Sequence, residues 1–173
     1  MSEYTTQMNA ARQGIITPQM KAVAEKEHME PEALRELMAK GQVIIPCNKK
    51  HTSIRPNGVG AKLTTKINVN LGVSRDWKDV EMEYEKVRSA VEMGAESIMD
   101  LSSYGDTRTF RRKLTADCPA MIGTVPIYDA VVYYHKPLGQ ITSEEWLDIV
   151  RMHAEDGVDF MTIHVGINRR TAD

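Results

Sequence analysis

The sequence predicts an α/β protein: about the first four units of a (β/α)8 TIM-type barrel, preceded by a helical N-terminal arm. Three observations carry that expectation. From Lys66 onward, short apolar runs of strand character alternate with stretches of helical period, four times over. Two helix-to-strand junctions resemble one another, Gly94-Ala95-Glu96-Ser97-Ile98-Met99 and Gly157-Val158-Asp159-Phe160-Met161-Thr162. Each has a helix-ending glycine, a small or branched apolar residue, an acid and then a strand. Strands that alternate with helices in this way pair in parallel through right-handed crossovers. The competing architecture is a doubly wound open sheet, whose nucleotide-binding versions carry a glycine-rich turn after the first strand. Here Asn70-Leu71-Gly72-Val73-Ser74 supplies a single glycine.

Taken in order, residues 1–60 read as the arm and 61–173 as the first half of the barrel. The first 41 residues give two helices. Thr17-Pro18 sets a capping residue before a proline at the first helical position, and Glu30-Pro31 opens a second helix whose Leu34, Leu37 and Met38 recur at helical spacing before Gly41. Val43-Ile44-Ile45-Pro46 is strand-like, and residues 47–60 are polar and turn-rich, with Asn57-Gly58 a strong turn dipeptide. A strand over 66–70 leads to a helix over 77–93, with Val80, Tyr84, Val87 and Val91 on one face and the Glu81-Met82-Glu83-Tyr84-Glu85-Lys86 run read as solvated. Residues 97–101 are the next strand, followed by a helix through Phe110 and Leu114; 120–125 is the third. Thr142-Ser143-Glu144-Glu145 is a capping box opening the last helix, and 160–165 is the fourth strand.

The chain has 173 residues, 42% apolar and 27% charged, with a formal net charge of −2. That composition fits a globular protein and argues against a dedicated nucleic-acid binder. No apolar run approaches the ~18 residues of a membrane span, and Met1-Ser2-Glu3-Tyr4 does not open a signal peptide, so a cytoplasmic protein without a membrane partner is expected. Cys47 and Cys118 make neither a disulfide framework nor a CxxC knuckle. A closed barrel takes ~200 residues or more. The pattern reaches only its fourth strand before Arg169-Arg170-Thr171-Ala172-Asp173, so a truncated barrel is expected.

In such barrels the chemistry gathers at the carboxyl ends of the strands. Those positions hold Asn68 and Asn70, Met99 and Asp100, Tyr128 just past Val125-Pro126, and His164. Asn68 and Asn70 are two residues apart and so share a pleat face, where two amides need partners: a ligand's polar edge or a buried hydrogen-bond network. Asp100 positions a base or caps the next helix; Met99 reads first as packing. His28, His51, His135 and His153 lack metal-ligand spacing and read as surface.

Several segments then resemble the ThiC family. They are Thr6-Gln7-Met8-Asn9-Ala10-Ala11-Arg12-Gln13-Gly14-Ile15-Ile16-Thr17-Pro18, Val43-Ile44-Ile45-Pro46, Lys66-Ile67-Asn68-Val69-Asn70-Leu71-Gly72, Ile98-Met99-Asp100-Leu101-Ser102, Ile122-Gly123-Thr124-Val125-Pro126-Ile127-Tyr128 and Phe160-Met161-Thr162-Ile163-His164. The resemblance runs in order along almost the whole chain. It implies a radical S-adenosylmethionine lyase that rearranges 5-aminoimidazole ribotide to hydroxymethylpyrimidine phosphate for thiamine, a homodimer when full length. It carries the substrate-binding roles to Asn70, Met99, Tyr128 and His164, spaced 29, 29 and 36 residues apart. It also implies a 4Fe-4S cluster, S-adenosylmethionine and zinc, with ligands beyond this chain: neither cysteine fits the family's CxxCxxxxC, so the chain alone is expected to be inactive. The sequence departs from the family pattern beside the implied site, with Asn-Val-Asn for Asn-Ala-Asn at 68–70, Ser102-Ser103-Tyr104-Gly105-Asp106 for Ser-Thr-Gly-Gly, Tyr128-Asp129-Ala130 for Tyr-Gln-Ala and Ile163-His164-Val165-Gly166 for Ile-His-Ala-Gly. These departures keep open a paralogous branch that makes 5-hydroxybenzimidazole for cobalamin from the same ribotide. A non-catalytic ribotide-binding module is the reading from another class.

Overall fold

The computed structural model describes residues 4–166 and 169–172. The arm begins with α1 (Gln7–Arg12), α2 (Pro18–Lys26) and α3 (Pro31–Ala39). Thr17 accepts from the Met20 amide at 3.2 Å, with Pro18 in the first turn as the sequence implied. Helix α1 is an addition to the two expected; Thr6 caps it by accepting from the Asn9 amide. Ala10, Ala11, Met20, Val23, Ala24, Leu34, Leu37 and Met38 bury together with Val43 and Ile45 in a core of the arm's own. Val43–Ile44 is β1, and it pairs antiparallel with β2 (Val59–Gly60), a strand the turn-rich composition of 47–60 concealed.

Four parallel strands follow, β3 (Asn68–Leu71), β4 (Ser97–Asp100), β5 (Met121–Thr124) and β6 (Phe160–Met161), adjacent in chain order. They alternate with α4 (Val80–Glu92), α5 (Thr107–Asp117), and then α6 (Pro126–Tyr134) and α7 (Ser143–Glu155) between β5 and β6. The capping box at Thr142 is formed from both sides, the Thr142 hydroxyl accepting from the Glu145 amide and the Glu145 carboxylate from the Thr142 amide. Helix α6 was not legible as a helix from Pro126 and Tyr128 alone. The expected fourth strand shrinks from 160–165 to Phe160–Met161. The sequence reading ended without an element, whereas the structure places a short helix, α8 (Arg169–Ala172), near the end; Asp173 lies outside the described residues.

Register decides which side chains face where. Asn70, Met99, Gly123 and Phe160 lie in one row, with Asn68, Ser97 and Met121 in the row toward the strand starts. Leu71, Ile98 and Ile122 point to the opposite face, where Tyr84, Val87 and Ala90 of α4 and Phe110 and Leu114 of α5 cover them. Ile98 and Ile122 are completely buried, each contributing roughly 1.5–3 kcal/mol. Glu83 is completely buried as well, although its charge run reads as solvated. It falls on the same stripe as Val80 and Val87, and its carboxylate is satisfied by the Gly72 amide at 2.9 Å and Lys86 Nζ at 2.6 Å.

The two similar junctions turn out to share a task. The Glu96 carboxylate accepts from the Ile67 amide at 2.9 Å, and the Asp159 carboxylate accepts from the Ile122 amide at 2.8 Å, so each acid ties down a neighbouring strand. Both also receive the arm: Lys26 lies 3.6 Å from Glu96, while the Asn48 amide and His51 Nδ1 reach Asp159 at 2.8 and 2.7 Å. With Arg55 N–H on the Pro119 carbonyl and Lys66 on Glu27, the arm seals the end of the sheet where the strands begin.

His51 is buried here instead of lying on the surface. Its two ring nitrogens face two acceptors, the Asp159 carboxylate and the Cys118 carbonyl, both at 2.7 Å, so both must carry protons. Burial pulls its pKa down, but the Asp159 hydrogen bond and charge, with the Cys118 carbonyl, leave it above the ordinary histidine value. A raised folded pKa contributes stability that is complete below about pH 6.5 and is lost as pH rises through the folded value. Thermal melts are therefore expected to show a falling midpoint from pH 6 to pH 8.5. His51→Ala should remove that slope and cost about 2 kcal/mol at pH 6; an unchanged slope would place the titrating group elsewhere.

Candidate functional site at the carboxyl ends of the strands

Asn70 sits at the carboxyl end of β3, exposed, on the face opposite the helices. Asn68 Nδ2 donates to Asn70 Oδ1 at 2.8 Å, and Ser97 Oγ on β4 donates to Asn68 Oδ1 at 2.8 Å. The shared pleat face inferred for the two asparagines is thus realised as a hydrogen-bonded chain. Met99 is the register partner of Asn70 and is half-buried beside it. The next position in the row is Gly123, and a side chain there would collide with the Phe160 ring. Absence of a side chain at Gly123 is what lets Phe160 lie across the sheet.

The other two candidates reach the same end of the sheet from loops and helices. Tyr128 is in the first turn of α6, 43% exposed, and lines a cavity of about 980 Å³ with Arg75, Tyr104, His135, Lys136 and Leu138. His164 is exposed, three residues beyond the end of β6. Among the described residues, no hydrogen bond joins either of them to Asn70 or Met99. The structure therefore brings Asn70 and Met99 side by side and leaves Tyr128 and His164 on separate segments.

Asp100 takes neither role read for it. It faces the helices, 5% exposed, and its carboxylate accepts from the Ser102 amide at 2.9 Å; α5 is capped by Asp106 instead. Burial pushes its pKa up to about 6, against the opposing pull of the Ser102 hydrogen bonds.

Asp129, which the sequence placed beside the site, is 3% exposed on the helical side. It accepts from Thr107 Oγ1, from Arg111 at 3.1 Å and from His153 Nε2 at 2.9 Å. His153 Nδ1 meets Thr124 Oγ1 at 2.8 Å; burial first of all holds the His153 pKa below the usual value, which favours the neutral ring with Nε2 donating to Asp129 and Nδ1 accepting from the Thr124 hydroxyl. Arg111 also reaches Asp156 at 3.0 Å, where Arg108 and Arg112 join it. Burial would raise the pKa of Asp129, but the hydrogen bonds from His153 and Thr107 and the Arg111 charge hold it below the usual carboxylate range. This network locks α5, α6, α7 and β5 together and fixes the backbone that carries Tyr128. The signal for it was present: Arg108, Arg111 and Arg112 crowd one helix that has a stripe to bury.

Neither cysteine suits an iron–sulfur cluster. Cys118 is buried in the core between sheet and helices and Cys47 is half-buried against the arm's core. Burial, the larger cause, raises both thiol pKa values, which opposes the thiolate a metal requires. Among the described residues no three histidine, cysteine or acidic side chains gather as a metal set, so the zinc expected by resemblance has no ligand set among them either. No helix among them is long and apolar enough to cross a membrane.

Four parallel strands adjacent in chain order, alternating with helices, place the protein in the β/α class. Within that class the chain belongs to the Radical SAM ThiC family, whose model matches residues 6–173. It is 62% identical over 169 residues to the phosphomethylpyrimidine synthase of Alkaliphilus oremlandii (strain OhILAs), covering 98% of this chain and 39% of that protein. It is 61% identical over 166 residues to the protein of that name from Clostridioides difficile (strain 630), covering 96% of this chain and 38% of that one. For that of Pelotomaculum thermopropionicum the identity is 60% over 169 residues, with coverages of 98% and 39%. The chain thus spans about two fifths of the length of the curated relatives it matches.

Proposed function

We propose that this chain forms the ribotide-binding part of a radical S-adenosylmethionine enzyme that turns 5-aminoimidazole ribotide into hydroxymethylpyrimidine phosphate. In this reading, residues 1–60 are the arm and 61–173 the first half of a (β/α)8 barrel. The observation that carries it is the exposed Asn70 amide, beside Met99 toward the carboxyl end of two adjacent strands and hydrogen-bonded to Asn68 in the row before it. The Asn70 amide hydrogen-bonds the imidazole or ribose edge, Met99 gives a soft wall, Tyr128 bonds or stacks, and His164 closes on the ribotide from the segment after β6. The name shared by the three relatives supports the pyrimidine product over the benzimidazole one. The cluster that cleaves S-adenosylmethionine finds no fitting ligands among the described residues, so no step through it is assigned to them.

Anaerobic turnover of the intact protein with the ribotide, S-adenosylmethionine and a reductant tests the activity; a pyrimidine phosphate is expected, and a benzimidazole would move the protein to the other branch. His164→Ala separates a substrate contact from a structural histidine. Because His164 is exposed, the variant is expected to melt within about 2 °C of wild type while weakening ribotide binding about tenfold. A lower melting temperature with unchanged affinity would remove His164 from the site.

A further inference from the structure

We propose that Asn68 is a positioning residue, held by Ser97, that fixes which way the Asn70 amide faces. The inference rests on the ribotide reading of Asn70 and goes beyond it. A carboxamide has a donor end and an acceptor end that are nearly equal in shape, so a lone exposed asparagine presents either to a ligand. Here the choice is made by neighbours. Ser97 Oγ sits on a residue only 4% exposed and has no other hydrogen bond among the described residues, so its buried proton is satisfied only by donating to Asn68 Oδ1, which turns the Asn68 NH2 toward Asn70. That NH2 donates to Asn70 Oδ1 at 2.8 Å. With its oxygen occupied, Asn70 offers its NH2 group to the ligand. The site therefore selects a hydrogen-bond acceptor at this point, such as an unprotonated imidazole nitrogen or a ribose oxygen. Among the described residues, neither asparagine side chain has another hydrogen-bond partner, so the direction of the whole chain rests on Ser97 and Asn68.

The test uses Asn68→Asp, Asn68→Ala and Ser97→Ala in the intact protein, with 5-aminoimidazole ribotide titrated calorimetrically at pH 7.5 and pH 4.5. An ionised carboxylate at position 68 only accepts, so it draws the Asn70 NH2 to itself and turns the Asn70 oxygen toward the ligand. Asn68→Asp is expected to weaken binding about tenfold or more at pH 7.5. At pH 4.5 about a fifth of an ordinary aspartate is protonated and able to donate again. The deficit relative to wild type at the same pH should then shrink at least about twofold. Asn68→Ala and Ser97→Ala should lose about three- to tenfold at both pH values, with no recovery. Melting temperatures of the two Asn68 variants should stay within about 2 °C of wild type, since that side chain is exposed. Affinities equal to wild type, or an Asn68→Asp deficit that is the same at both pH values, would overturn the proposal. Failure of the wild-type protein to bind the ribotide would overturn the ribotide reading itself, a distinguishable result.

Discussion

Arg111→Met is expected to be the most damaging single substitution in the helical layer, costing about 3–5 kcal/mol at pH 7. The guanidinium is 1% exposed and bridges two buried carboxylates, Asp129 at 3.1 Å and Asp156 at 3.0 Å. Methionine fills the volume but leaves Asp129 with only Thr107 and His153 for partners. Arg108 and Arg112 still hold Asp156, so the loss concentrates at Asp129. The pH dependence follows from the sign of the shift. Asp129 has a lowered folded pKa, so it contributes stability above its unfolded value, near 3.9, and loses it as pH falls through the folded value. Removing Arg111 removes part of that contribution. The difference between variant and wild type in urea melts should therefore be largest at neutral pH and shrink toward pH 3. A melting temperature about 10 °C lower is expected at pH 7 for a chain of this size. A variant as stable as wild type would show that the network is incidental.

Gly72→Ala comes second, with an expected loss of about 3 kcal/mol or more. Gly72 has φ +148°, and an added Cβ would stand 2.5 Å from the Ser102 amide nitrogen and 2.7 Å from the Leu101 carbonyl carbon. Both obstacles are backbone, just where β4 leaves the sheet, and the Ser103 amide is bonded to the Val73 carbonyl beside them. The Gly72 amide also donates to the buried Glu83 carboxylate, so displacing it leaves that group with Lys86 as its one hydrogen-bond partner among the described residues. Gly94→Ala is the control: φ is +91° but nothing lies within 4 Å, so it should cost only about 1 kcal/mol. Equal melting temperatures for the two variants would mean that backbone conformation, not close approach, governs Gly72. Because Asn70 is two residues away, Gly72→Ala should also weaken ribotide binding.

Periodicity made the parallel alternation legible, and the repeated glycine-acid junctions located β4 and β6. It was blind to three things. Short elements such as α1 and β2 hold too few residues for a period to emerge, and α6 is apolar on several sides, with Val131, Val132 and Tyr133 adjacent in sequence. Buried polar partners come from distant segments: His51 meets Asp159 and His153 meets Asp129, pairings that no local spacing encodes. The length of β6 depends on what pairs with it, and its two residues bond only to β5 within the described sheet. At the site, the pleat rule correctly joined Asn68 to Asn70, and register then brought Met99 alongside. Tyr128 and His164 were read as strand-end positions, their substrate roles coming from resemblance; the structure sets Tyr128 in the first turn of α6 and His164 on the segment after β6, placements that depend on loops and helix ends. The Asp129 departure looked like a new charge in the pocket until the fold turned it toward Arg111.

The central claim, that the carboxyl end of β3 and β4 holds the ribotide through Asn70, is tested most directly by titrating the intact wild-type and Asn70→Ala proteins with 5-aminoimidazole ribotide in a calorimeter. The predicted result is saturable binding by wild type that Asn70→Ala weakens about tenfold or more, with melting temperatures within about 2 °C of each other. Equal affinities for the two proteins, or no heat from wild type, would contradict it.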